Sequence, residues 1–360
     1  MNVSTQPPAG RAWLDVSLAA LRANARAVLA RTPRARLLPM VKANAYGLGA
    51  VPCAGALEEL DPWGFGVATV AEGVELRDAG ISRPILVFTP AAAAQQADYR
   101  RHDLRAVLDR AEAIAVWDRP FHLEIDTGMG RCGVRWDDAS QLAGCGSPHL
   151  EGVFTHFYAA DSDASSVETQ QRRFLAARER LPSVPSLVHA ANSAGAWRLR
   201  EPLDLVRPGI FLYGGCHAPD LDPPRPVAAL RAPVVGLRRI PTGESVGYGG
   251  DWRAPRDTWV ATLGVGYADG VPRSVQSKAE VLLGGVRRPV VGRVTMDFIM
   301  IDTGPHESGA TIGEVATIFG GADPVAPSVD EFGGWAGSNA YEILARLGAR
   351  VVKRYDGGAG

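Results

Sequence analysis

Short apolar runs alternate with helix-like segments from about residue 17 to residue 213. Eight of these runs have the length and composition of strands: "RLLPMVKA", "GFGVAT", "PILVF", "RAVL", "FHLEID", "LEGVFTH", "SLVHA" and "LDLVRPG". A strand followed by a helix returns to the sheet as a parallel, right-handed crossover. Eight such units predict an α/β fold, a closed (β/α)8 barrel of the TIM type over residues 17–228.

Helix boundaries can also be read from the sequence. In "SLAALRANARAVLAR" the apolar residues recur at helical spacing, and Ser17 stands where an N-terminal cap is expected. A second helix is predicted over "VAEGVELRDAG", where Gly80 would stop it.

The pattern changes after about residue 228. Strand-like runs now follow one another with Gly and Pro between them: "PVVGLRRI", "TWVATLGVGY", "AEVLLGG", "RPVVGRVTMDFIMID" and "EVATIF". They predict a mostly antiparallel β domain over residues 229–360. The early run "AWLDVS" is also strand-like, so residues 1–16 are predicted to be a tail and a strand that joins this domain.

Composition excludes several classes of protein. A formal net charge of -1 provides no basic field for nucleic acid, and no apolar run is long enough for a membrane span. The four cysteines are far apart and the histidines lack metal-site spacing, so we expect neither disulfides nor a metal. Reduced thiols are typical of a cytoplasmic protein.

Polar residues stand where several predicted barrel strands end. Active sites of such barrels lie at the C-terminal ends of the strands. The residues found there are Lys42, Arg131, His156, Asn192, Ser193 and Arg207. Any one of them could be structural, but their coincidence on one rim favours a functional site.

Alternation along "FHLEID" predicts which residues face the barrel interior. His122, Glu124 and Asp126 share one strand face. Charged side chains that are buried need partners, and Arg131 is the natural candidate.

The run "RPGIFLYGG" is a candidate anion site. Gly209 would let the backbone approach a ligand, and the backbone N–H groups of this loop, together with the Ser193 hydroxyl, could hold a phosphate.

Nine ordered motifs together resemble one family. They are "VKANAYGLG", "IDTGMGRCG", "THFYAAD", "ANSAG", "VRPGIFLYG", "SVGYGGDW", "GYADGVPR", "VGRVTMD" and "NAYEIL". The chain is similar over nearly its whole length to the alanine racemases, fold-type III enzymes that use pyridoxal 5'-phosphate (PLP). The resemblance implies a homodimer with shared active sites that interconverts L-alanine and D-alanine, which bacteria use in the cell wall.

The resemblance also implies residue roles. Lys42 would bind PLP covalently and act as one base, while Tyr248 from the second subunit would be the base on the opposite face. Arg207 would bind the pyridine nitrogen, with His156 between Arg207 and the Tyr248 side. The cofactor contacts implied for the phosphate and its surroundings are Tyr46, Asn192, Ser193, Gly209, Ile210 and Tyr341. Arg131 and the Met296 backbone would contact the substrate, and Tyr267 and Asp297 would line the entrance.

Glu124 departs from the family pattern. The family often carries a carbamylated lysine at this position, and a glutamate would supply negative charge without modification. We expect Glu124 to orient Arg131 directly. Leu48, where the family often has histidine, should be peripheral.

Racemisation explains why two bases are needed. A proton must leave one face of the substrate carbon and return to the other, while the cofactor delocalises the carbanion. The ordinary pKa values, about 10.4 for lysine and about 10 for tyrosine, must be lowered by the site, and nearby cations such as Arg207 could do this. An arginine beside the pyridine nitrogen of PLP, unlike an aspartate there, cannot readily give the cofactor ring a proton.

Other functions remain open at this point. A racemase of serine or basic amino acids shares these motifs, and a non-catalytic PLP carrier could share the barrel. The carrier is disfavoured by the β domain and by Tyr248. A related decarboxylase would need an acidic partner for the ring nitrogen and a cysteine near the C-terminus, whereas no cysteine follows Cys216. A phosphosugar enzyme would need neither Lys42 nor Tyr248.

Overall fold

The computed structural model of the chain describes residues 10–183, 185–200, 203–216, 218 and 220–356. The chain divides into two compact units. The β unit comprises residues up to Leu21, Tyr213–Gly215 and residues from Pro224 onward, and the barrel unit comprises Arg22–Leu212 and Cys216–Pro223. The predicted boundaries at residues 17 and 228 differ from this division by a few residues and stay a prediction. The predicted N-terminal tail mostly lies outside the described residues.

The strands, in chain order, are β1 (Trp13–Ser17), β2 (Arg36–Leu37), β3 (Phe65–Val67), β4 (Ile85–Pro90), β5 (Leu104–Leu108), β6 (Phe121–Asp126), β7 (Val134–Arg135), β8 (Leu150–Phe154), β9 (Leu187–His189), β10 (Leu205–Val206), β11 (Ala228–Ile240), β12 (Ser245–Val246), β13 (Trp252–Arg253), β14 (Thr258–Leu263), β15 (Glu280–Leu283), β16 (Val286–Val291), β17 (Ile299–Gly304), β18 (Val315–Gly320) and β19 (Val352–Asp356).

The helices are α1 (Leu18–Arg31), the single turn α2 (Lys42–Tyr46), α3 (Ala50–Glu58), α4 (Val70–Asp78), α5 (Gln96–Arg101), α6 (Ala111–Ala115), α7 (Ala139–Ala143), α8 (Ala164–Arg178), α9 (Gly195–Arg198), α10 (Val329–Trp335) and α11 (Ala340–Ala345). Short 3-10 helices occupy Ala93–Gln95, Ile210–Tyr213, Tyr248–Gly250, Tyr267–Asp269, Arg273–Val275 and Glu307–Gly309.

The barrel unit is the predicted parallel barrel. Its eight main strands run in the order β2-β10-β9-β8-β6-β5-β4-β3, and every pairing among them is parallel. A parallel bridge between Met40, just after β2, and Gly66 of β3 closes the sheet. Strand β7 pairs with β6 outside this ring. The eight strands correspond to the eight predicted runs, and the prediction of a (β/α)8 barrel is confirmed.

The helix signals are confirmed as well. The Ser17 hydroxyl accepts a hydrogen bond from the Ala20 amide at 3.3 Å, which caps α1. Gly80 follows α4 with φ +90°, a left-handed conformation that favours glycine after a helix.

A cluster of buried apolar side chains from the barrel strands and the residues beside them forms part of the core of the barrel unit. Its members are Leu38, Trp63, Leu86, Val107, Phe154 and Leu205. Each such side chain contributes about 1.5–3 kcal/mol by leaving water. The Phe154 ring stacks on His189 with centroids 4.9 Å apart, and the Arg207 guanidinium lies 5.2 Å from that ring. The core therefore fixes two of the polar residues discussed below.

The β unit confirms the predicted antiparallel domain. Strands β14, β17, β16, β15, β18 and β11 form a closed antiparallel ring, because β14 pairs with both β17 and β11. Strand β1 pairs antiparallel with β11 and parallel with β19. In the part of the chain that is described, no helix combines the length and apolar character needed to cross a membrane.

One predicted strand is in fact two. The run "RPVVGRVTMDFIMID" breaks at Gly292, which ends β16 with φ +66°. A Cβ at Gly292 would lie 2.7 Å from the Val246 carbonyl oxygen, so only glycine fits there. The seven residues from Gly292 to Phe298 form a loop before β17, and this loop carries Met296 and Asp297.

Candidate active site

Lys42 opens a turn with an unusual backbone. Ala43, Asn44, Ala45 and Tyr46 have φ of +51°, +54°, +52° and +53°, the left-handed region that costs an L-residue about 1–2 kcal/mol each. Two side-chain hydrogen bonds support this turn, in addition to backbone bonds such as that from the Gly47 amide to the Ala43 carbonyl at 2.8 Å. The Glu72 carboxylate accepts from the Ala43 amide at 2.8 Å, and the Asn44 side-chain oxygen accepts from the Ala50 amide at 2.7 Å.

The environment of Lys42 favours its neutral amine. Burial lowers the pKa of Lys42, and the positive charges of Arg131 and Arg207 lower it further, while Glu72 acts in the opposite direction. A neutral amine is the nucleophilic form of lysine and the form that can accept a proton. Two of the predicted rim residues, Arg131 and Arg207, therefore place positive charge near the Lys42 amine.

Arg207 is the most firmly held of the rim residues. Its guanidinium is buried and donates hydrogen bonds to the Thr155 carbonyl at 2.8 Å, the Ala190 carbonyl at 3.0 Å and His189 Nδ1 at 2.9 Å. Burial lowers the pKa of Arg207 to about 9, although Glu124 raises it. The side chain is still cationic at neutral pH, and its position is set by three fixed acceptors.

The Arg207–His189 bond begins a directional chain of hydrogen bonds. A guanidinium can only donate, so His189 Nδ1 accepts and its Nε2 carries the proton. His189 Nε2 then donates to His122 Nδ1 at 2.7 Å, and His122 Nε2 faces Glu151 at 3.5 Å. Burial lowers the pKa of both histidines. The interior of the barrel thus holds two neutral histidines between an arginine and a carboxylate.

His156 lies beside Arg207. Its Nδ1 is 3.4 Å from an Arg207 nitrogen. Burial lowers the pKa of His156 to about 3, and the charges of Arg207, Arg131 and Lys42 add to the effect. The imidazole is therefore neutral at physiological pH and serves Arg207 as an acceptor.

The predicted anion loop is tightly built. The Ser193 hydroxyl accepts from the Gly209 amide at 2.9 Å and from the Phe211 amide at 3.4 Å. A Cβ at Gly209 would lie 2.2 Å from the Tyr46 hydroxyl oxygen, so the two residues touch only because Gly209 has no side chain. Ile210 is buried, and the Asn192 side-chain oxygen accepts from the Gly195 amide at 2.9 Å. Amide and hydroxyl groups therefore converge in this loop.

Glu124 is buried, but its carboxylate has no side-chain partner among the described residues. It is 5% exposed, and burial raises its pKa to about 7 against the lowering effects of Arg131 and Arg207. Among the described residues, neither the Glu124 nor the Arg131 side chain makes a hydrogen bond or ion pair. Asp126 accepts from the Gly128 and Gly130 amides instead. Direct pairing of Arg131 with these carboxylates, which strand alternation suggested, is not formed in this structure.

The remaining predicted residues belong to the β unit. Four of them line one cavity of about 590 Å³: Tyr248, Tyr267, Met296 and Asp297. The other residues that line this cavity include Arg273, Arg293 and Phe298. Tyr341 is the second residue of α11 and is not among the residues that line this cavity.

Two glycines present Tyr248 at the surface of its unit. Gly247 and Gly249 have φ of +78° and +76°, and Val246 packs into a buried cluster. A Cβ at Gly247 would lie 2.9 Å from a Met300 side-chain carbon. Tyr248 itself is 72% exposed, so its phenol is available to another molecule.

A buried carboxylate joins the two loops that hold Tyr267 and Met296. Asp269 is 2% exposed, and it accepts from Arg11 at 2.8 Å and from Arg350 at 2.6 Å. Arg350 also donates to the Met296 carbonyl at 3.1 Å. The carboxylate and its two arginines therefore fix the loop after β14 against the loop before β17.

Several residues of these clusters were missed by the sequence analysis. Arg273 and Arg293 stand inside the motifs "GYADGVPR" and "VGRVTMD", so a signal for them was present. His189 lies within the run "SLVHA" and is the last residue of β9. The left-handed turn after Lys42 has no signal, because alanine and tyrosine do not favour that conformation.

Comparisons with known proteins cover both units. A family profile described as "Alanine racemase, N-terminal domain" matches residues 16–217, and one described as "Alanine racemase, C-terminal domain" matches residues 227–355. Alanine racemase of Deinococcus deserti is 41% identical over 356 residues, which cover 95% of this chain and 98% of the relative. That of Deinococcus radiodurans is 39% identical over 356 residues, 96% of this chain and 99% of the relative.

Solved structures agree with the sequence comparisons. Alanine racemase from Streptomyces lavendulae has a TM-score of 0.88 and 33% identity, covering 98% of this chain and 99% of that one. Alanine racemase from Bacillus anthracis, solved with bound L-Ala-P, has a TM-score of 0.87 and 31% identity, covering 97% and 96%.

Proposed function

The chain belongs to the alanine racemase family, and from this premise we propose that it interconverts L-alanine and D-alanine with PLP bound in the barrel unit. The observation that carries the proposal is the environment of Lys42. Its amine is buried beside the cations Arg131 and Arg207, which favour the neutral form that can bind an aldehyde and accept a proton.

The described residues fit PLP. The Ser193 hydroxyl accepts from the Gly209 and Phe211 amides, so its own proton can be donated to a phosphate. Gly209 leaves no room for a Cβ beside the Tyr46 hydroxyl. The buried Arg207 suits a pyridine nitrogen that accepts a hydrogen bond. When bound, PLP supplies the electron sink that makes the substrate carbon acidic.

The residues of the chain would then divide the proton transfers. Lys42 would take or return the proton on one face of the substrate carbon, and Tyr248 of a second subunit would act on the other face. Arg131 and the Met296 backbone would bind the substrate, with Tyr267 and Asp297 at the entrance. The exposure of Tyr248 supports its use by a second copy.

The test of the activity is racemisation of alanine, serine, lysine and arginine by the purified protein. We expect alanine to be the preferred substrate and both Lys42→Ala and Tyr248→Phe to lose most activity. A preference for serine or a basic amino acid would instead support a broader racemase. Binding of PLP without racemisation of any of the four would support a carrier.

Sharing of the active site can be tested by mixing the two inactive variants. If Lys42 and Tyr248 of one site come from different subunits, a mixed dimer regains one intact site. After random reassociation about half of the dimers are mixed, and each mixed dimer has one intact site out of two. The mixture should therefore regain about a quarter of the wild-type activity. If both residues came from one subunit, the mixture would stay inactive. The cytoplasmic location and a role in supplying D-alanine for the cell wall remain parts of this proposal.

A further inference from the structure

Helix α8 carries a completely buried glutamine. Gln170 is 0% exposed, and its side-chain oxygen accepts from the Tyr158 amide at 3.0 Å. Its side-chain nitrogen donates to the Thr127 hydroxyl at 2.9 Å and to the His156 carbonyl at 3.0 Å. The orientation of the amide is fixed, because the Tyr158 amide can only donate and the His156 carbonyl can only accept.

The partners of Gln170 belong to the loops after two strands. Thr127 follows β6, and His156 and Tyr158 follow β8. The Thr127 hydroxyl also shares a hydrogen bond with the Thr155 hydroxyl at 2.7 Å, in which either oxygen can be the donor. The bonds of one outer helix thus reach the two strand ends that carry Glu124 and His156.

The same network reaches Arg207 and the loop of Arg131. The Thr155 carbonyl accepts from Arg207 at 2.8 Å. Arg173, three residues after Gln170 on the same face of α8, donates to the Thr127 carbonyl at 2.9 Å and lies 5.2 Å from the Trp136 ring. The β6 loop, which continues to Arg131, is therefore held at Thr127 by two side chains of α8.

We propose that Gln170 is a positioning residue of the active site. It fixes the backbone of His156, and hence where this ring lies beside Arg207, and it fixes the start of the loop that carries Arg131. This inference rests on the proposed function, because it assigns Gln170 a role toward the residues that would hold PLP and the substrate. Gln170 itself would touch neither.

Replacement by glutamate separates this role from simple packing. Gln170→Glu keeps the volume and the acceptor for the Tyr158 amide. It places a second oxygen where the nitrogen donated to the His156 carbonyl and to Thr127. The bond to the His156 carbonyl is lost without creating a cavity, and the bond to Thr127 survives only if the threonine hydroxyl turns to donate. Gln171→Glu makes the same chemical change at the neighbouring position, whose side chain makes no hydrogen bond in the described part of the chain, and is the matched control.

The experiment measures PLP affinity of the cofactor-free protein by absorbance titration, kcat and KM for L-alanine, and the urea midpoint. For Gln170→Glu we expect PLP affinity to fall on the order of tenfold and kcat/KM to fall roughly ten- to hundredfold, the cost of slight misplacement of reacting groups. Gln171→Glu should match the wild type. A lower urea midpoint with unchanged PLP affinity and KM would overturn the proposal, as would equal behaviour of the two variants.

Two further arms keep the result unambiguous. If Gln170→Glu does not fold, Thr127→Val removes the hydroxyl link at constant volume and Thr127→Ser restores it. PLP affinity should then fall for the valine variant only, and equal affinities would overturn the proposal. Failure of the wild type to bind PLP or racemise alanine would refute the proposed function instead, before any variant is compared.

Discussion

Glu124→Gln should stabilise the cofactor-free protein at alkaline pH and leave it nearly unchanged in acid. Burial raises the pKa of Glu124 from 4.5 to about 7. At about 1.4 kcal/mol for each pH unit by which a pKa moves, the folded state loses up to about 3 kcal/mol when this carboxyl ionises.

The sign follows from the direction of the pKa change. The folded protein holds the proton more tightly than the unfolded chain, so its stability is fully present below about pH 4.5. That stability is lost as the pH rises through about 7. Glutamine cannot ionise and has nearly the same shape. The variant should therefore be more stable than the wild type by up to about 3 kcal/mol at pH 8, and by little at pH 4.5.

The assay is urea unfolding followed by circular dichroism at both pH values, at one protein concentration because association adds to stability. Glu75→Gln makes the same change at an exposed position of α4 and controls for the loss of charge. An equal stability difference at both pH values, or a less stable variant at pH 8, would refute the reasoning. Activity provides a second arm: unchanged activity and alanine affinity in Glu124→Gln would rule out the proposed orientation of Arg131.

Three other variants test features of the two units. Ala43→Gly should stabilise the fold by about 0.5–1 kcal/mol, because glycine adopts the left-handed conformation more easily than alanine. As a comparison, Ala27→Gly within α1 should lower the free energy of unfolding by about 1 kcal/mol. Urea unfolding measures both changes. Gly209→Ala should weaken PLP binding on the order of tenfold or more in an absorbance titration, because its Cβ would lie 2.2 Å from the Tyr46 hydroxyl. Asp269→Asn should raise KM for alanine more than it lowers kcat, because it loosens the loops of Tyr267 and Met296.

The strands and their ends could be predicted because burial and periodicity are local signals. All eight barrel runs became strands, although β2 and β10 contain only two residues each. The rule that barrel chemistry lies at strand ends identified Lys42, His156 and Arg207 as residues of one rim. The structure places His156 Nδ1 3.4 Å from an Arg207 nitrogen, and the charge of Arg207 lowers the pKa of Lys42.

Features set by distant contacts could not be predicted. The turn after Lys42 opposes the preferences of its own residues and is held by Glu72, about thirty residues away. Gln170 has no motif, and its partner Thr127 is forty-three residues away in the sequence. The ionisation of Glu124 depends on how deeply the fold buries it, so the sequence suggested a fixed charge where the structure gives a titratable group.

The pairing of β1 with β11 and β19 has a consequence for how the chain is made. Strand β1 leaves the ribosome first, but its parallel neighbour β19 begins at Val352, about 330 residues later. At about 5–20 residues per second, Trp13–Ser17 waits roughly 20 to 70 seconds for that neighbour. The barrel unit can fold during this interval, while the β unit stays incomplete until β19 has been synthesised. Nascent chains stalled before Val352 should therefore protect the barrel from protease before they protect β1.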